Sequence, residues 1–337
     1  MRSSFINASL IAASIFIGSC SSHSAVQSLP VLPPAKPDTA TFQFLEYDVP
    51  TPNADPLSIV AGPDGALWFT EGFAPNVGRI DVNGNITEYP VGGVGELFIA
   101  VGPDKNLWFT EDNPNAVGRL TTTGTLTTFR IYHSKGLEDI VRGPDRRMWF
   151  ESVAQDNGPT YIDAIGIRGH KTQYGPVGSS CYFPLGITVG TDGNLWAVGG
   201  RCLSKITPAG QITSMDLGPG IGLNIVTQGK DGNLWAGDNL SPPPESIDQI
   251  TYGGVVTHHY LPNDTPNVYG VLQIGSKIYF TEVDGNKIGS IDESTFAFKE
   301  YPIPTPNAGP GTLTRGPDGN IWFTETRGDK IGVLILR

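Results

Sequence analysis

Cysteine, histidine and charge are all scarce in this chain, and each scarcity removes a class of function. There are 3 Cys in 337 residues, without a CxxC spacing, and 5 His, none in a metal-ligand pattern, so a zinc site is not expected. Only 16% of residues are charged, and 22 Lys and Arg face 33 Asp and Glu, for a formal charge of −11. That field repels phosphate backbones and no basic patch offsets it, so nucleic acid is not an expected partner. Abundance lies in glycine (43) and proline (28), too many punctuators for a helical chain. Val, Ile, Leu and Trp are spread too evenly for disorder, which leaves short strands joined by tight turns.

The N-terminus reads as an address. Met1-Arg2 supplies a positive charge and residues 5–18 are mostly apolar, the size and order of a secretory signal rather than a membrane span. Ile17-Gly18-Ser19-Cys20 resembles the lipobox of bacterial lipoproteins, which implies cleavage before Cys20 and acylation there; an ordinary signal with an incidental cysteine is the alternative. Residues 1–20 are therefore assigned to the signal, and the Ser- and Pro-rich 21–41 to a tether. The expected location is outside the cell, lipid-anchored to the periplasmic or cell-surface face of the envelope. With Cys20 lipidated, Cys181 and Cys202 remain, either as a disulfide or as two buried thiols.

From residue 42 to 337 the chain repeats one unit seven times. The copies run GPDGALWFTE from Gly62, GPDKNLWFTE from Gly102, GPDRRMWFES from Gly143, GTDGNLWAVG from Gly190, GKDGNLWAGD from Gly229, GSKIYFTE from Gly275 and GPDGNIWFTE from Gly316. Their anchors, Trp68, Trp108, Trp149, Trp196, Trp235, Tyr279 and Trp322, are spaced by 40, 41, 47, 39, 44 and 43 residues, the length of a four-stranded propeller blade. The expected fold is an all-β, seven-bladed β-propeller. The last copy lacks a fourth strand, while Leu45-Glu46-Tyr47-Asp48-Val49-Pro50 matches the outer strands elsewhere and has no blade before it. The N-terminal strand is therefore expected to pair into the last blade and close the ring, leaving few free edges. A monomer is expected.

Candidate site residues follow from the register. The Trp anchors and turn aspartates read as packing and turn-capping groups. An acidic residue follows most anchors: Glu71, Glu111, Glu282 and Glu325 lie three residues on, as does Asp238, and Glu151 one residue earlier. Placed in the loops after the second strands, they would ring a central mouth and hold a cation or a cationic or hydroxylated ligand; capping of the local loop or pairing with a nearby Arg is the structural alternative. Cys181, in the linker into blade four, and Cys202, in the loop after its second strand, fall on that same face.

The unit GPDGALWFTEGFAPNVGRIDVNGNITEYPV, from Gly62 to Val91, resembles the repeat of the virginiamycin B lyases, also called streptogramin lyases, which are seven-bladed propellers. The resemblance implies a Mg²⁺-assisted elimination that opens the ester of a cyclic depsipeptide antibiotic, a resistance activity, with His as acid or base and Glu as metal ligands. The family's blade-six His position reads Tyr269 here, and Gly309-Pro310-Gly311 stands where blade seven carries an acid and a His; Glu325 keeps its place. Without an imidazole the proton transfer lacks its agent. Substitutes are Asp55 with Glu71 as a two-carboxylate metal site, and His133 with Glu138 as an acid/base pair. Glu111, Asp238, Tyr269 and Glu282 complete the expected mouth, while His258 and His259, in an outer strand, are expected to meet solvent. Two functions stand open: a binding or scaffold propeller for a small cyclic peptide, glycan or envelope protein, and a divergent metal-assisted lyase or hydrolase. The first is preferred.

Overall fold

At each Gly-x-Asp turn that precedes a tryptophan, the aspartate accepts the indole N–H four residues on. Trp68, Trp108, Trp149, Trp196 and Trp322 donate to Asp64, Asp104, Asp145, Asp192 and Asp318 at 2.9–3.2 Å. This local pairing joins the first and second strands of a blade. The computed structural model describes residues 43–336 apart from 133, 135, 155–158, 179–185, 240–244 and 263–266. Cys20, His133 and Cys181 thus lie outside the described residues.

Seven four-stranded antiparallel sheets form, with no helix among the described residues. Blade one runs Pro56–Ala61, Leu67–Glu71, Asn76–Ile80 and Ile86–Pro90. Blades two to six span 94–130, 136–174, 186–216, 223–260 and 268–302. Blade seven takes Pro310–Arg315, Ile321–Glu325 and Lys330–Leu334 from the C-terminus and Phe44–Asp48 from the N-terminus as its outer strand. Phe44 pairs with Leu334 and Tyr47 with Ile331, so the ring closes as the repeat count requires.

Strand alternation decides how blades stack. Trp68 packs with Ile99, Leu107 and Phe109 of blade two, whereas Phe69, on the opposite face, packs with Trp322 of blade seven. The phenyl ring lies flat over the third strand of its own blade: a Cβ on Gly78 would sit 2.0 Å from Phe69 Cζ. The same contact recurs at Gly118, Gly289 and Gly332, at 2.2, 2.1 and 2.2 Å, so glycine is obligatory beneath each of these rings. Tyr89 and Tyr47, from fourth strands, stack on Trp68 and Trp322.

In blades one to three and five to seven the innermost strand carries a bulge, with the register breaking between Pro56 and Ile59 and at the corresponding pairs; in blade four that position reaches outside the described residues. A bulge frees a backbone N–H near the axis, and the Thr of Trp-Phe-Thr-Glu receives it. Thr70, Thr110 and Thr281 accept from Ser58, Phe98 and Gly270 at 3.1, 3.2 and 2.8 Å. The hydroxyl then donates to the next blade: Thr281 to the Gly311 carbonyl and Thr324 to that of Leu57, both at 2.9 Å. One side chain thus satisfies its own bulge and clamps a neighbour. Thr281→Val, which keeps the shape but leaves the Gly270 N–H and Gly311 C=O unpaired, is expected to cost about 1–3 kcal/mol in urea unfolding. Thr128→Val on an exposed outer strand should stay within about 0.5 kcal/mol.

Candidate functional site

The bulges build the centre of the ring. Phe98 and Ile225, from the bulges of blades two and five, belong to one hydrophobic cluster against which Tyr269 of the blade-six bulge packs; blades so far apart meet only at the axis. Glu138 and Asp139 occupy the blade-three bulge beside Tyr269, whose hydroxyl is pushed up by burial and by these two carboxyls. Burial raises Glu138 to about 8, with Asp112 and Asp139 adding to it. Burial likewise raises Asp139 to about 7, against the lowering effect of the Ile187 and Ile140 N–H groups, which it accepts at 3.1 and 2.8 Å.

Beside Tyr269 a cleft of about 240 Å³ opens between blades six, seven and one, lined by Leu57, Asn267, Val283, Thr326 and the turn Gly309-Pro310-Gly311. Arg327 stands at its rim, half exposed, with both terminal nitrogens 3.1 Å from Asp284 Oδ1. Asn267 Nδ2 donates to Asp284 Oδ2 at 3.0 Å, and the Asn267 N–H donates to Glu245. Gly311 has no room for a Cβ, which would meet Thr324 Oγ1 at 2.5 Å and the Leu57 carbonyl at 2.6 Å.

The expected ring of carboxylates is displaced from the mouth. Glu71, Glu111, Glu282 and Glu325 are fully buried, because each lies two residues after its Phe and so shares the face that packs on the preceding blade. The Oε1 atoms of Glu111, Glu282 and Glu325 lie 2.7, 2.8 and 2.7 Å from where a Cβ on the third-strand glycine would be. Burial, with Glu88 close by, raises Glu71 to about 7 against the lowering effect of Asn76, which donates to it at 3.1 Å. Burial holds Glu111 at about 7 against Arg130, and Glu325 at about 8 with Glu46 adding to it. Glu151, in the Thr position of blade three, is raised by burial and by Asp139 and Glu138, and neither of its carboxyl oxygens has a partner.

Asp55 and Glu71 share an acidic neighbour: the Asp55 N–H donates to Asp329 Oδ1 at 3.1 Å, and burial and the Asp329 charge raise both carboxyls. Glu138 lies in the blade-three bulge near Tyr269; His133, its intended partner, is outside the described residues. Asp238 joins Asp248 and His258 instead of the mouth. His258 bonds Asp248 at 3.0 Å, and His259 stacks on Trp235 at 5.2 Å, so neither simply meets solvent. Cys202 is disulfide-bonded and opens the third strand of blade four rather than lying in a loop. Arg327, Asp284, Asn267 and Asp139 were not singled out by the sequence; Arg327 was legible only as the residue two beyond Glu325.

These carboxyls give stability a definite pH dependence. In an unfolded chain they titrate near about 4, whereas in the fold Glu138 and Glu325 keep their protons up to about 8. The folded state therefore binds more protons across that window, and stability is lost as pH rises through it. Calorimetry should show the melting temperature falling steadily from about pH 5 to pH 8, with Glu325→Gln melting higher than wild type at the upper end and flattening the slope.

The profile of the virginiamycin B lyase family matches residues 39–156 and 99–336. A streptogramin B lyase structure superimposes with a TM-score of 0.79 at 28% identity, covering 88% of this chain and 98% of that one. Virginiamycin B lyase from Staphylococcus aureus gives 0.79 at 29% identity, covering 88% and 100%. A catalytically inactive His-to-Ala variant of the S. aureus enzyme with quinupristin gives 0.78 at 29%, with the same coverage. With its seven closed blades and these matches, the chain belongs to the virginiamycin B lyase family.

Proposed function

We propose that this protein is an exported binding propeller whose cleft between blades six, seven and one holds a compact cyclic peptide without opening it. The observation that carries this reading is the packing around Gly311: where the resemblance expects a histidine, a side chain of any kind overlaps Thr324 and the Leu57 carbonyl. At the other expected histidine position Tyr269 has its proton held more tightly than an ordinary phenol, so it offers no base near neutral pH. The cleft remains, with apolar walls from Leu57, Val283 and Pro310 and polar groups from Asn267, Thr326 and Arg327, a composition suited to a peptide ring with a few fixed hydrogen bonds.

The family implies Mg²⁺, which takes carboxylate and water oxygens. Among the described residues the cleft walls offer no carboxylate and Arg327 brings a cation to the rim, so this donor set does not fit the ion and no step is drawn through it. The inactive S. aureus variant with quinupristin supports the separation of binding from turnover. A divergent lyase or hydrolase is the second reading, favoured by Glu138 and Asp139, which keep protons near neutral pH beside Tyr269.

Calorimetric titration of the protein with quinupristin should give saturable binding that is lost in Val283→Trp, which fills the cleft, while the mass of the ligand stays unchanged with added Mg²⁺. Chelator-sensitive ring opening would establish the lyase instead, and absence of binding would refute the ligand class. The sequence around Cys20 supports a lipid anchor at the envelope: Cys20→Ser should release the protein from the membrane fraction and remove the mass of the acyl groups.

A further inference from the structure

Blade five departs from the packing that four other blades share. Where Phe lies over a third-strand glycine in blades one, two, six and seven, blade five pairs Ala236 with Asp248. Asp248 pairs across the sheet with His258 on the fourth strand, and Asp238 lies two residues beyond Ala236 on the same face. That face packs on Trp196, Val198 and Leu203 of blade four, so the three polar groups share an otherwise apolar seam.

We propose that Asp238, Asp248 and His258 form a divalent-cation site in the seam between blades four and five, and that zinc is the ion it takes. One ligand atom from each residue lies within 4.8 Å of the other two, the one such group among the described residues. Asp248 has no exposed side-chain surface; its Oδ1 accepts from Ser246 at 2.8 Å and pairs with His258 Nδ1 at 3.0 Å, but its Oδ2 is buried without a partner. Asp238 Oδ1 accepts the Gly222 N–H at 2.9 Å, which fixes the orientation of its carboxyl.

An unpartnered carboxylate oxygen in an apolar seam is costly, and a cation removes the cost. Bonds of about 2.0–2.1 Å to a tetrahedral zinc put ligand atoms about 3.3 Å apart, so the Asp248–His258 pair needs to open by only a few tenths of an ångström and Asp238 to close in. One imidazole with two carboxylates selects zinc over Mg²⁺ or Ca²⁺, which prefer oxygen-only sets, and leaves the fourth position to water. His258 keeps a third of its side chain exposed, which gives the ion an entry path. Bound there, the ion ties the second, third and fourth strands of blade five together where the phenyl packing is missing.

The full chain, stripped with a chelator and returned to metal-free buffer, should take up one Zn²⁺ per molecule by elemental analysis and melt higher for it. Co²⁺ should give the visible absorption of a tetrahedral site. Asp248→Asn and His258→Gln should each weaken zinc binding by about 100-fold or more, beyond what outer partners of a metal site contribute. Glu111→Gln, buried in another seam, should leave uptake unchanged. His258→Gln sits at a partly exposed position and keeps the test decisive where Asp248→Asn fails to fold. Zinc uptake that survives both substitutions, absence of stoichiometric uptake by the wild type, or displacement of zinc by Mg²⁺ would each overturn the proposal.

Discussion

A tryptophan buried to zero exposure must satisfy its indole N–H inside its own blade, and much of the architecture follows from that requirement. The acceptor is a carboxylate on the tight turn four residues earlier, so the turn, its aspartate and the ring are fixed together. The first glycine of the turn is fixed as well, because a Cβ on Gly62 would lie 2.4 Å from the Trp68 ring. With the indole pinned, the residue after it must face the preceding blade, and in four blades the phenyl there closes over a glycine on the third strand. Local hydrogen bonding thus propagates into the spacing between sheets.

The parts of the fold that repeat were legible in the sequence, and so was closure, because Leu45-Glu46-Tyr47 matched strands with known neighbours. The destination of the acidic residues was not. Glu71 or Glu325 reads as a loop residue when counted from the anchor, but the second strand runs one step further, and alternation then turns the carboxyl into the seam. The bulges were equally hidden: Leu57-Ser58 and Glu138-Asp139 look like ordinary strand residues, and only the register shows two residues opposing one. The cleft could be anticipated at Tyr269 and Gly309-Pro310-Gly311 because the resemblance named those positions. That Gly311 has no room for a side chain is a fact of packing that no motif carries.

Seams and axis therefore divide the labour differently from the first expectation. The seams tolerate carboxyls because burial keeps several of them protonated, among them Glu71, hydrogen-bonded to Glu88, and Glu325, hydrogen-bonded to Glu46. The axis gathers what the bulges turn inward, an uneven set of Phe98, Glu138, Asp139, Ile225 and Tyr269 on an almost symmetrical frame. Sevenfold regularity supplies rigidity, and departures from it supply chemistry. The same logic applies to blade five, where replacing Phe and Gly by Ala236 and Asp248 exchanges an aromatic seam for a polar one.

The pairing of Phe44–Asp48 with Lys330–Leu334 has a consequence for how the molecule is made. The strand that seals the circle is synthesised before the six intact blades, and its partners after them. Those six can gather in order of synthesis, but the seventh joins segments from opposite ends of the ring, and contacts so distant along the chain are slow to form. Until they do, one seam stays open and the circle behaves as an unfastened belt rather than a closed band.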